Sequence, residues 1–307
     1  MSPDFETIEF PQVVNWLKSV NGEFTLADAT RYLCRGPHNT LASAMNLQLS
    51  LEHLAGSGDI EHASNRWGHY RKPDKSLIPI DITQTDETPV NLWLPFNASS
   101  FVKLFPGNIV VVSGQKDAGK TAVLFNAAYY NADKWNIHYF NSEMGPSEIK
   151  IRCSEFCKAN NDTYFSIWKK VKFYERSTNF GDVIIPGEWN LNIIDFLENL
   201  QDFYRVGEYI RQIHDRLNGA ICIIGMQQRD DKLPVGGWAA LEKARLHLAI
   251  TKDWSKDYPH KMKICVGKNW ADHKINPVGR AVDYKIIRGG YLLAVTNNGK
   301  IWYEDNK

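Results

Sequence analysis

The chain has 307 residues, which is enough for about two domains, and its 43% hydrophobic content supports a buried core. The formal net charge is +1, which excludes a global basic field, so any contact with nucleic acid must come from local patches. No apolar run approaches the ~20 residues of a membrane span, and the acidic N-terminus lacks a signal-peptide core. Five cysteines without a C-x-x-C pair indicate reduced thiols. We therefore expect a cytoplasmic protein without a membrane segment.

The N-terminal residues 1–72 have the pattern of a small helical unit that ends in a hairpin. The predicted elements are helices at 10–20, 24–33 and 40–55 and short strands at 59–62 and 67–72. Thr25 is placed to cap the second helix. Three helices followed by a hairpin resemble a winged helix-turn-helix domain.

The rest of the chain predicts a linker and a larger domain. Residues 73–100 contain four prolines and little periodicity, which indicates a linker that also packs against the next domain. From 101 to 307, strand and helix patterns alternate, which predicts an α/β domain with a mostly parallel sheet. The predicted strands lie at 109–112, 137–140, 171–174, 191–194, 220–225 and 263–266.

The most informative motif is G-x-x-x-x-G-K-[ST], the phosphate-binding loop, between the strand at 109–112 and a predicted helix. Its glycines let backbone amides turn inward around phosphate oxygens, and the helix N-terminus adds a favourable dipole. We expect Lys120 to contact the β- and γ-phosphates of ATP and Thr121 to hold Mg²⁺. Only Lys116 and Lys120 are expected as cations of the chain itself near this loop. The motif comprises Gly114, Gln115, Lys116, Asp117, Ala118, Gly119, Lys120 and Thr121.

Glu143 follows the strand predicted at 137–140 and has two interpretations. A carboxylate at this point of a phosphate-loop domain lies near the γ-phosphate and can act as general base for the attacking water. Alternatively, Glu143 caps the helix that begins near Pro146. The sequence leaves both interpretations open.

Two further strand ends carry polar residues. Asp195 ends the apolar run 191–194, which is the layout of a Walker B carboxylate that supports Mg²⁺ through water. Gln227 ends another buried run and can sense the γ-phosphate and relay its state to residues 230–237. Those residues have the composition of a mobile loop, although an ordinary surface connection is the alternative.

Taken together, these motifs resemble the RecA-like core of the DnaB family of replicative helicases over roughly residues 92–295. The Ser-Glu-Met segment at 142–144 is similar to a shortened form of that family's motif after the second strand, and Arg152 lies where the family often has an arginine. Asp195 and Gln227 match its Walker B and sensor positions. The resemblance implies ATP hydrolysis between the subunits of a ring or filament.

The resemblance also implies that a cation from the neighbouring subunit reaches the ATP. Lys268-Asn269-Trp270, with Gly279-Arg280 further on, resembles the C-terminal lysine-x-arginine element of that family. Trp270 stands where the arginine is expected, so Arg280, Lys274 or Lys268 must serve instead, because a cation has to offset developing phosphate charge. We predict that Arg280, helped by Lys268, has this role.

Contacts with nucleic acid are predicted at two places. The first is the N-terminal hairpin, where cations lie beside Trp67 and Tyr70. This combination indicates nucleic-acid contact, because cations bind phosphates and aromatic rings stack on bases. These cations are His62, Arg66, His69, Arg71, Lys72 and Lys75. Residues 1–75 nevertheless carry seven Lys/Arg against nine Asp/Glu, so docking of a protein partner is the alternative. The second place is the core, where Arg229 and Lys232 could contact a strand in a central channel.

The sequence thus predicts a winged-helix-like unit followed by a RecA/DnaB-like ATPase domain. Its expected function is that of an ATP-dependent DNA-acting ATPase, a helicase or DNA-remodelling motor that assembles as a homo-oligomeric ring or filament. One alternative is an ATP-switched DNA- or protein-binding regulatory or assembly factor with slow hydrolysis. A recombinase-like strand-pairing ATPase is the other.

Overall fold

The protein is described by a computed structural model, which defines residues 6–20, 22–63, 67–73, 79–83, 85–162, 165–197, 205–228, 233–296 and 300–305. Its contacts divide the chain into two units, Met1–Thr85 and Asp86–Lys307. The division falls inside the predicted linker 73–100, and the end of that segment belongs to the second unit. Leu92, Leu94 and Ala98 are buried in the core of that unit.

The first unit consists of helices and a small antiparallel sheet, as expected for a winged-helix-like region. Its elements are α1 (Phe10–Ser19), β1 (Glu23–Thr25), α2 (Leu26–Leu33), α3 (Leu41–Ser57), β2 (Glu61–His62) and β3 (His69–Arg71). The strand order is β1-β3-β2. Thr25 caps α2, since its hydroxyl accepts a hydrogen bond from the Asp28 amide at 3.1 Å. Strand β1 was not predicted, because Phe24 had been assigned to the helix that begins only at Leu26.

The second unit is built on one ten-stranded sheet. Its first seven elements are β4 (Ile109–Gly114), α4 (Lys120–Asn131), β5 (Asn136–Asn141), α5 (Pro146–Ala159), β6 (Val171–Glu175), β7 (Asn190–Leu197) and α6 (Val206–Arg216). The following six are β8 (Ile221–Gln227), β9 (Ala244–Lys252), β10 (His260–Gly267), β11 (Arg280–Ile287), β12 (Tyr291–Ala294) and β13 (Tyr303–Glu304). Strands β9-β4-β8-β7-β5-β6 are parallel neighbours in that order, while β10, β11, β12 and β13 extend the sheet in antiparallel pairs.

This architecture confirms the predicted α/β fold with a mostly parallel sheet. The six predicted strands are all present, but β9, β11, β12 and β13 were missed. In β11, buried residues are interspersed with half-buried ones, and β12 has only half-buried residues, so neither strand has the continuous apolar run of β4 or β8. A further difference concerns Asp195, which lies inside β7 rather than at its end, because the strand continues to Leu197.

The sheet is covered on both faces, which explains its apolar central strands. Val110 and Val112 of β4 belong to the apolar cluster that contains most of the buried face of α4. Ile109 and Val111, which alternate with them, belong to a second cluster with the buried residues of α6. No helix among the described residues is long and apolar enough to cross a membrane.

The strand order brings the ends of β4, β7 and β8 together. Gly114 at the end of β4 is in register with Gln227 of β8, and Asn141 at the end of β5 is in register with Asp195 of β7. Ligands of open α/β sheets bind at the carboxyl ends of parallel strands. The predicted site residues therefore lie at the edge of the sheet where ligand binding is expected.

Candidate active site

The loop that joins β4 to α4 has the backbone of a phosphate-binding loop. Gly119 precedes the helix with φ = 95°, and Asp117 has φ = 59°. A Cβ at Gly119 would also meet the end of the Ile286 side chain from β11, which would have to move aside. Glycine is favoured here above all by the left-handed backbone.

Lys120 is the first residue of α4, and its side chain folds back over the loop. Its Nζ donates hydrogen bonds to the carbonyl oxygens of Gly114 at 3.0 Å and Gln115 at 2.9 Å. Burial lowers the pKa of Lys120, although nearby carboxylates, Asp195 above all, favour its charged form. The ammonium group is thus held inside the loop, where phosphate oxygens of a nucleotide could replace the two carbonyls.

Thr121 and Asp195 form the second feature of the site. The Thr121 hydroxyl donates to Asp195 Oδ1 at 3.2 Å, and the buried Tyr139 hydroxyl donates to Asp195 Oδ2 at 2.6 Å. Burial raises the pKa of Asp195 to about 6, while these two hydrogen bonds act in the opposite direction. The pair therefore places two oxygen atoms of the kind that Mg²⁺ prefers at the mouth of the loop. Tyr139, which orients the carboxylate, was not singled out in the sequence.

Glu143 lies in the pocket and does not cap α5. The side chain of Asn141 holds the turn in front of that helix by accepting from the Met144 amide at 3.0 Å and donating to the Met144 carbonyl. Helix α5 has Gly145 as its N-cap residue, and the Gly145 amide donates to the Glu148 carboxylate at 3.0 Å. Of the two sequence interpretations of Glu143, the structure thus disfavours the cap, whereas the role as general base stays a prediction.

The ends of β8 and β9 carry a buried polar network behind the loop. Gln227 lines the pocket, as expected, and its neighbour Gln228 points away from solvent. Ser113 Oγ lies 3.4 Å from Gln228 Oε1 and 2.7 Å from His247 Nε2, and the Gln228 amide donates to the Gly114 carbonyl at 3.0 Å. Burial lowers the pKa of His247 to about 4, so the imidazole is neutral. This network ties the phosphate loop to both flanking strands, and sequence patterns gave no signal for it.

The opposite wall of the pocket comes from strands β9, β10 and β11 and from the loops that follow β9 and β11. The pocket has a volume of about 590 Å³. Lys252 Nζ donates to the Asp117 carbonyl at 2.9 Å and lies 3.5 Å from the ring centre of Trp254. His260 Nδ1 lies 3.1 Å from the Ala118 carbonyl. This wall consists of Lys252, Trp254, Pro259, His260, Lys285, Ile286 and Gly289.

The structure corrects the expectation that Lys116 and Lys120 are the only cations near the loop. Arg152, Lys252 and Lys285 also line the pocket. Lys252 and Lys285 come from β9 and β11, so residues more than a hundred positions after the motif supply positive charge to the same cavity. The pocket is thus lined by more cations than carboxylates, since only Asp117 and Glu143 are acidic among its lining residues.

The C-terminal cations of the predicted shared site lie elsewhere in the chain. Arg280 begins β11, where its guanidinium lies 3.7 Å from the Glu304 carboxylate and 5.5 Å from the ring centre of Phe101. Lys268 Nζ donates to the Glu242 carbonyl at 3.0 Å, and burial lowers the pKa of Lys268. Neither residue lines the pocket of its own chain, so the roles of Arg280 and Lys268 in a neighbouring subunit stay predictions.

The residues predicted to contact nucleic acid are only partly defined. Arg66, Lys75, Arg229 and Lys232 lie outside the described residues. On the hairpin of the first unit, Arg71 forms an ion pair with Glu61, and His62 lies 3.6 Å from Glu52. Two of the six predicted hairpin cations are therefore next to carboxylates.

One comparison with solved structures is close enough to bear on the fold. The chain is similar to the crystal structure of a KaiC-like protein from the hyperthermophilic archaeon Pyrococcus horikoshii OT3, with a TM-score of 0.50 and 14% identity, covering 68% of this chain and 99% of that one. The second unit has the RecA-like P-loop ATPase fold. Two other solved structures match with lower scores. The first is an isolated ATPase domain, with a TM-score of 0.46 and 18% sequence identity, and the match covers 62% of this chain and 86% of that domain. The second is the RadB recombinase, with a TM-score of 0.45 and 11% sequence identity, and the match covers 61% of this chain and 91% of that one.

No family model matches the sequence, and no curated protein matches it significantly. At these identities the structural matches establish the fold alone. The narrower resemblance to DnaB-type helicases therefore stays a prediction.

Proposed function

We propose that the protein is a Mg²⁺-dependent ATP hydrolase. The observation that carries this proposal is the 3.2 Å contact between the Thr121 hydroxyl and the Asp195 carboxylate, at the mouth of a loop whose lysine is held inside it. A hydroxyl and a carboxylate are hard oxygen donors, which fit Mg²⁺. Bound there with ATP, the cation would neutralise charge on the phosphate oxygens.

Each of the other residues of the pocket has its own role in this proposal. Backbone amides of residues 115–121 bind the phosphates, and Lys120 adds a positive charge to them. Glu143 orients an attacking water molecule and accepts its proton, while Gln227 lines the pocket where the state of the phosphates can be sensed. Tyr139 fixes the orientation of the Asp195 carboxylate through its 2.6 Å hydrogen bond.

We further propose that ATP hydrolysis drives work on DNA by an oligomer, a ring or a filament. The shared site proposed for Arg280 needs a second copy, so this proposal requires assembly of the chain. Trp270 at the position of the expected arginine means that this geometry differs from the DnaB pattern. A recombinase-like pairing of DNA strands would use the same site and the same assembly.

A second candidate is a nucleotide-switched assembly factor with slow hydrolysis. The pocket favours this possibility because Arg152, Lys252 and Lys285 offset phosphate charge without a neighbouring subunit. A chain of this kind binds ATP tightly alone and changes its partners according to the nucleotide. The N-terminal unit would then select a protein partner or a DNA site.

One experiment separates the two candidates. The ATPase rate is measured alone, with single-stranded DNA and with double-stranded DNA, and the size distribution is measured in parallel with a non-hydrolysable ATP analogue. A motor predicts hydrolysis that is stimulated by DNA and depends on assembly. Slow hydrolysis unaffected by DNA, combined with ATP-dependent assembly, identifies the switch. If hydrolysis and nucleotide binding are both absent, both candidates are wrong.

A further inference from the structure

One wall of the nucleotide pocket carries a tryptophan whose ring is mostly in solvent. Trp254 follows β9, lines the pocket and is 77% exposed. Two other rings line the same pocket, those of Phe196 and His260, and both are buried. Among the described residues of the pocket, Trp254 is therefore the one that offers an open aromatic face.

The loop that carries Trp254 is braced by its neighbour Asp253. The Asp253 carboxylate accepts hydrogen bonds from the Ser255 amide at 3.1 Å and the Ser255 hydroxyl at 2.7 Å, and it lies 3.5 Å from Lys256 Nζ. The Asp253 amide donates to the Pro259 carbonyl at 2.7 Å, which closes the loop where it joins β10. The backbone of the loop thus positions Trp254, although its ring is not packed in the core.

Lys252 connects the Trp254 ring to the phosphate loop. Its Nζ donates to the Asp117 carbonyl at 2.9 Å and lies 3.5 Å from the centre of the Trp254 ring. The ammonium group covers one face of the ring in a cation–π contact. Because the ring is 77% exposed, its other face is open to a ligand. A flat aromatic surface is thus held next to the loop that carries the phosphate-binding motif.

The pocket therefore combines two kinds of surface. The phosphate loop presents backbone amides and Lys120, which suit anionic oxygens. On the opposite wall, Trp254 is joined by the half-buried apolar side chains of Pro259 and Ile286. A nucleoside triphosphate has the same two parts, a charged tail and a flat base, and every base has a π-face that can stack on an aromatic ring. The cavity of about 590 Å³ also lies within the size range of small-molecule sites.

We propose that Trp254 is the platform on which the base of the bound nucleotide stacks, on the face opposite Lys252. This inference rests on the proposed function, because it requires a triphosphate in the phosphate loop, and it adds the group that recognises the nucleoside. Inorganic tripolyphosphate could make the same contacts with the loop but would leave the Trp254 ring without a partner. The site therefore selects nucleoside triphosphates over bare polyphosphate.

Calorimetric titration of the full-length chain with ATP and with tripolyphosphate, each with Mg²⁺, separates contacts to the base from contacts to the phosphates. Trp254→Ala should weaken ATP binding by roughly tenfold or more, because base stacking is lost, and leave tripolyphosphate binding nearly unchanged. Trp254→Phe keeps an aromatic platform and should retain most of the ATP affinity, while it removes most of the tryptophan fluorescence change caused by ATP. Trp189→Ala is the matched control, because Trp189 is 59% exposed and precedes the amino end of β7, away from the site.

The outcomes distinguish this inference from the proposed function on which it rests. Equal ATP affinities of the parent chain and Trp254→Ala, or equal losses for ATP and tripolyphosphate in that variant, would overturn the platform and leave the ATPase proposal intact. A loss of ATP affinity in Trp254→Phe as large as in Trp254→Ala would overturn the platform as well, since an aromatic ring would then not suffice. If the parent chain binds neither ATP nor tripolyphosphate, the proposed function is wrong and the platform with it.

Discussion

The two walls of the nucleotide pocket differ in how their residues are distributed along the sequence. One wall comes from residues 114–121 and from the carboxyl ends of β5 and β7, so its parts are short, contiguous motifs that follow buried strands. The other comes from strands β9, β10 and β11 and their connecting loops, whose residues reach the phosphate loop only through the order of strands in the sheet. The first wall contains the groups expected to perform the chemistry. The second wall supplies positively charged side chains and packs directly on the phosphate loop. How strongly hydrolysis depends on a neighbouring subunit can therefore be measured as a change in rate.

The largest expected effect tests whether the second wall is sufficient without a neighbour. If Arg280 acts in the site of an adjacent subunit, Arg280→Ala should lower turnover by up to ~10³-fold while the isolated chain still binds ATP. Mixing this variant with Lys120→Ala should restore part of the activity, because each variant carries the half-site that the other lacks.

Lys300→Ala is the control for Arg280→Ala, since Lys300 is an exposed cation of the same C-terminal region to which no role in the site is assigned. Melting temperatures exclude a folding effect, which matters because Arg280 lies 3.7 Å from Glu304 of β13. Near-normal turnover of Arg280→Ala, or hydrolysis independent of protein concentration, would show that Lys252, Lys285 and Arg152 of the same chain suffice. An inactive mixture would exclude the shared site.

The next effect concerns the first wall. Glu143→Gln keeps the shape of the side chain and removes the base, so hydrolysis should fall by roughly 10²-fold while ATP affinity is retained. Glu148→Ala is the matched control, because Glu148 is the carboxylate that accepts from the N-cap residue of α5. It should lower stability by about 1 kcal/mol and leave turnover close to normal. The reverse pattern in these two variants would exclude Glu143 as the base.

A smaller effect is expected at the second wall. Lys252→Ala removes the hydrogen bond to the Asp117 carbonyl and the cation above Trp254. Because Lys252 is partly exposed, we expect ATP affinity to fall by about tenfold or less. The fluorescence change of the tryptophans on nucleotide titration, with Lys256→Ala as the control, measures this loss. Lys256 belongs to the same loop and pairs with Asp253 rather than lining the pocket. Equal affinities for the two variants would show that this wall does not contact nucleotide.

A last effect, on stability rather than on nucleotide binding, is a pH dependence from the network behind the loop. The pKa of His247 is about 4 in the folded chain, against an ordinary value of 6.5. Above pH 6.5 both states are neutral, so His247 adds no pH dependence. As the pH falls from 6.5 towards 4, the unfolded chain binds the proton first, and the free energy of unfolding decreases by at most ~1.4 kcal/mol per pH unit.

Denaturant titrations at several pH values measure this slope. In His247→Gln the decrease between pH 6.5 and 4 should be smaller than in the parent, whereas His273→Gln, which removes an exposed histidine, should retain it. Identical slopes in all three chains would contradict a buried neutral imidazole at position 247.

The comparison of the two walls also shows how much of the candidate site could be predicted from the sequence. The loop 114–121, Asp195 and Gln227 were predicted, since each is a local pattern attached to a buried strand. Lys252, Trp254 and Lys285 were not, because strand β9 had not been recognised and nothing local reports that β9 lies beside β4. His247 was missed for a related reason: a histidine inside a strand becomes informative only once Ser113 is known to lie 2.7 Å away.

The first unit shows a second limit of prediction from the sequence. The apolar residues of α3 predicted a helix, and the helix is present. Periodicity alone did not distinguish Leu47 and Leu51, which are buried, from Leu41 and Leu49, which face solvent. That distinction depends on which side of α3 meets α1 and α2.

The central claim is that the loop and the Thr121–Asp195 pair bind ATP together with Mg²⁺, and equilibrium binding of ATP with and without Mg²⁺ tests it most directly. The parent chain should bind more tightly with Mg²⁺, and Lys120→Ala should lose ATP binding and hydrolysis while the fold survives, because charge-assisted contacts of this kind contribute roughly 1.5–3 kcal/mol each. Thr121→Ala and Asp195→Asn should bind ATP with little response to Mg²⁺. Parent-like ATP affinity and turnover in Lys120→Ala, or a full response to Mg²⁺ in both Thr121→Ala and Asp195→Asn, would contradict the account.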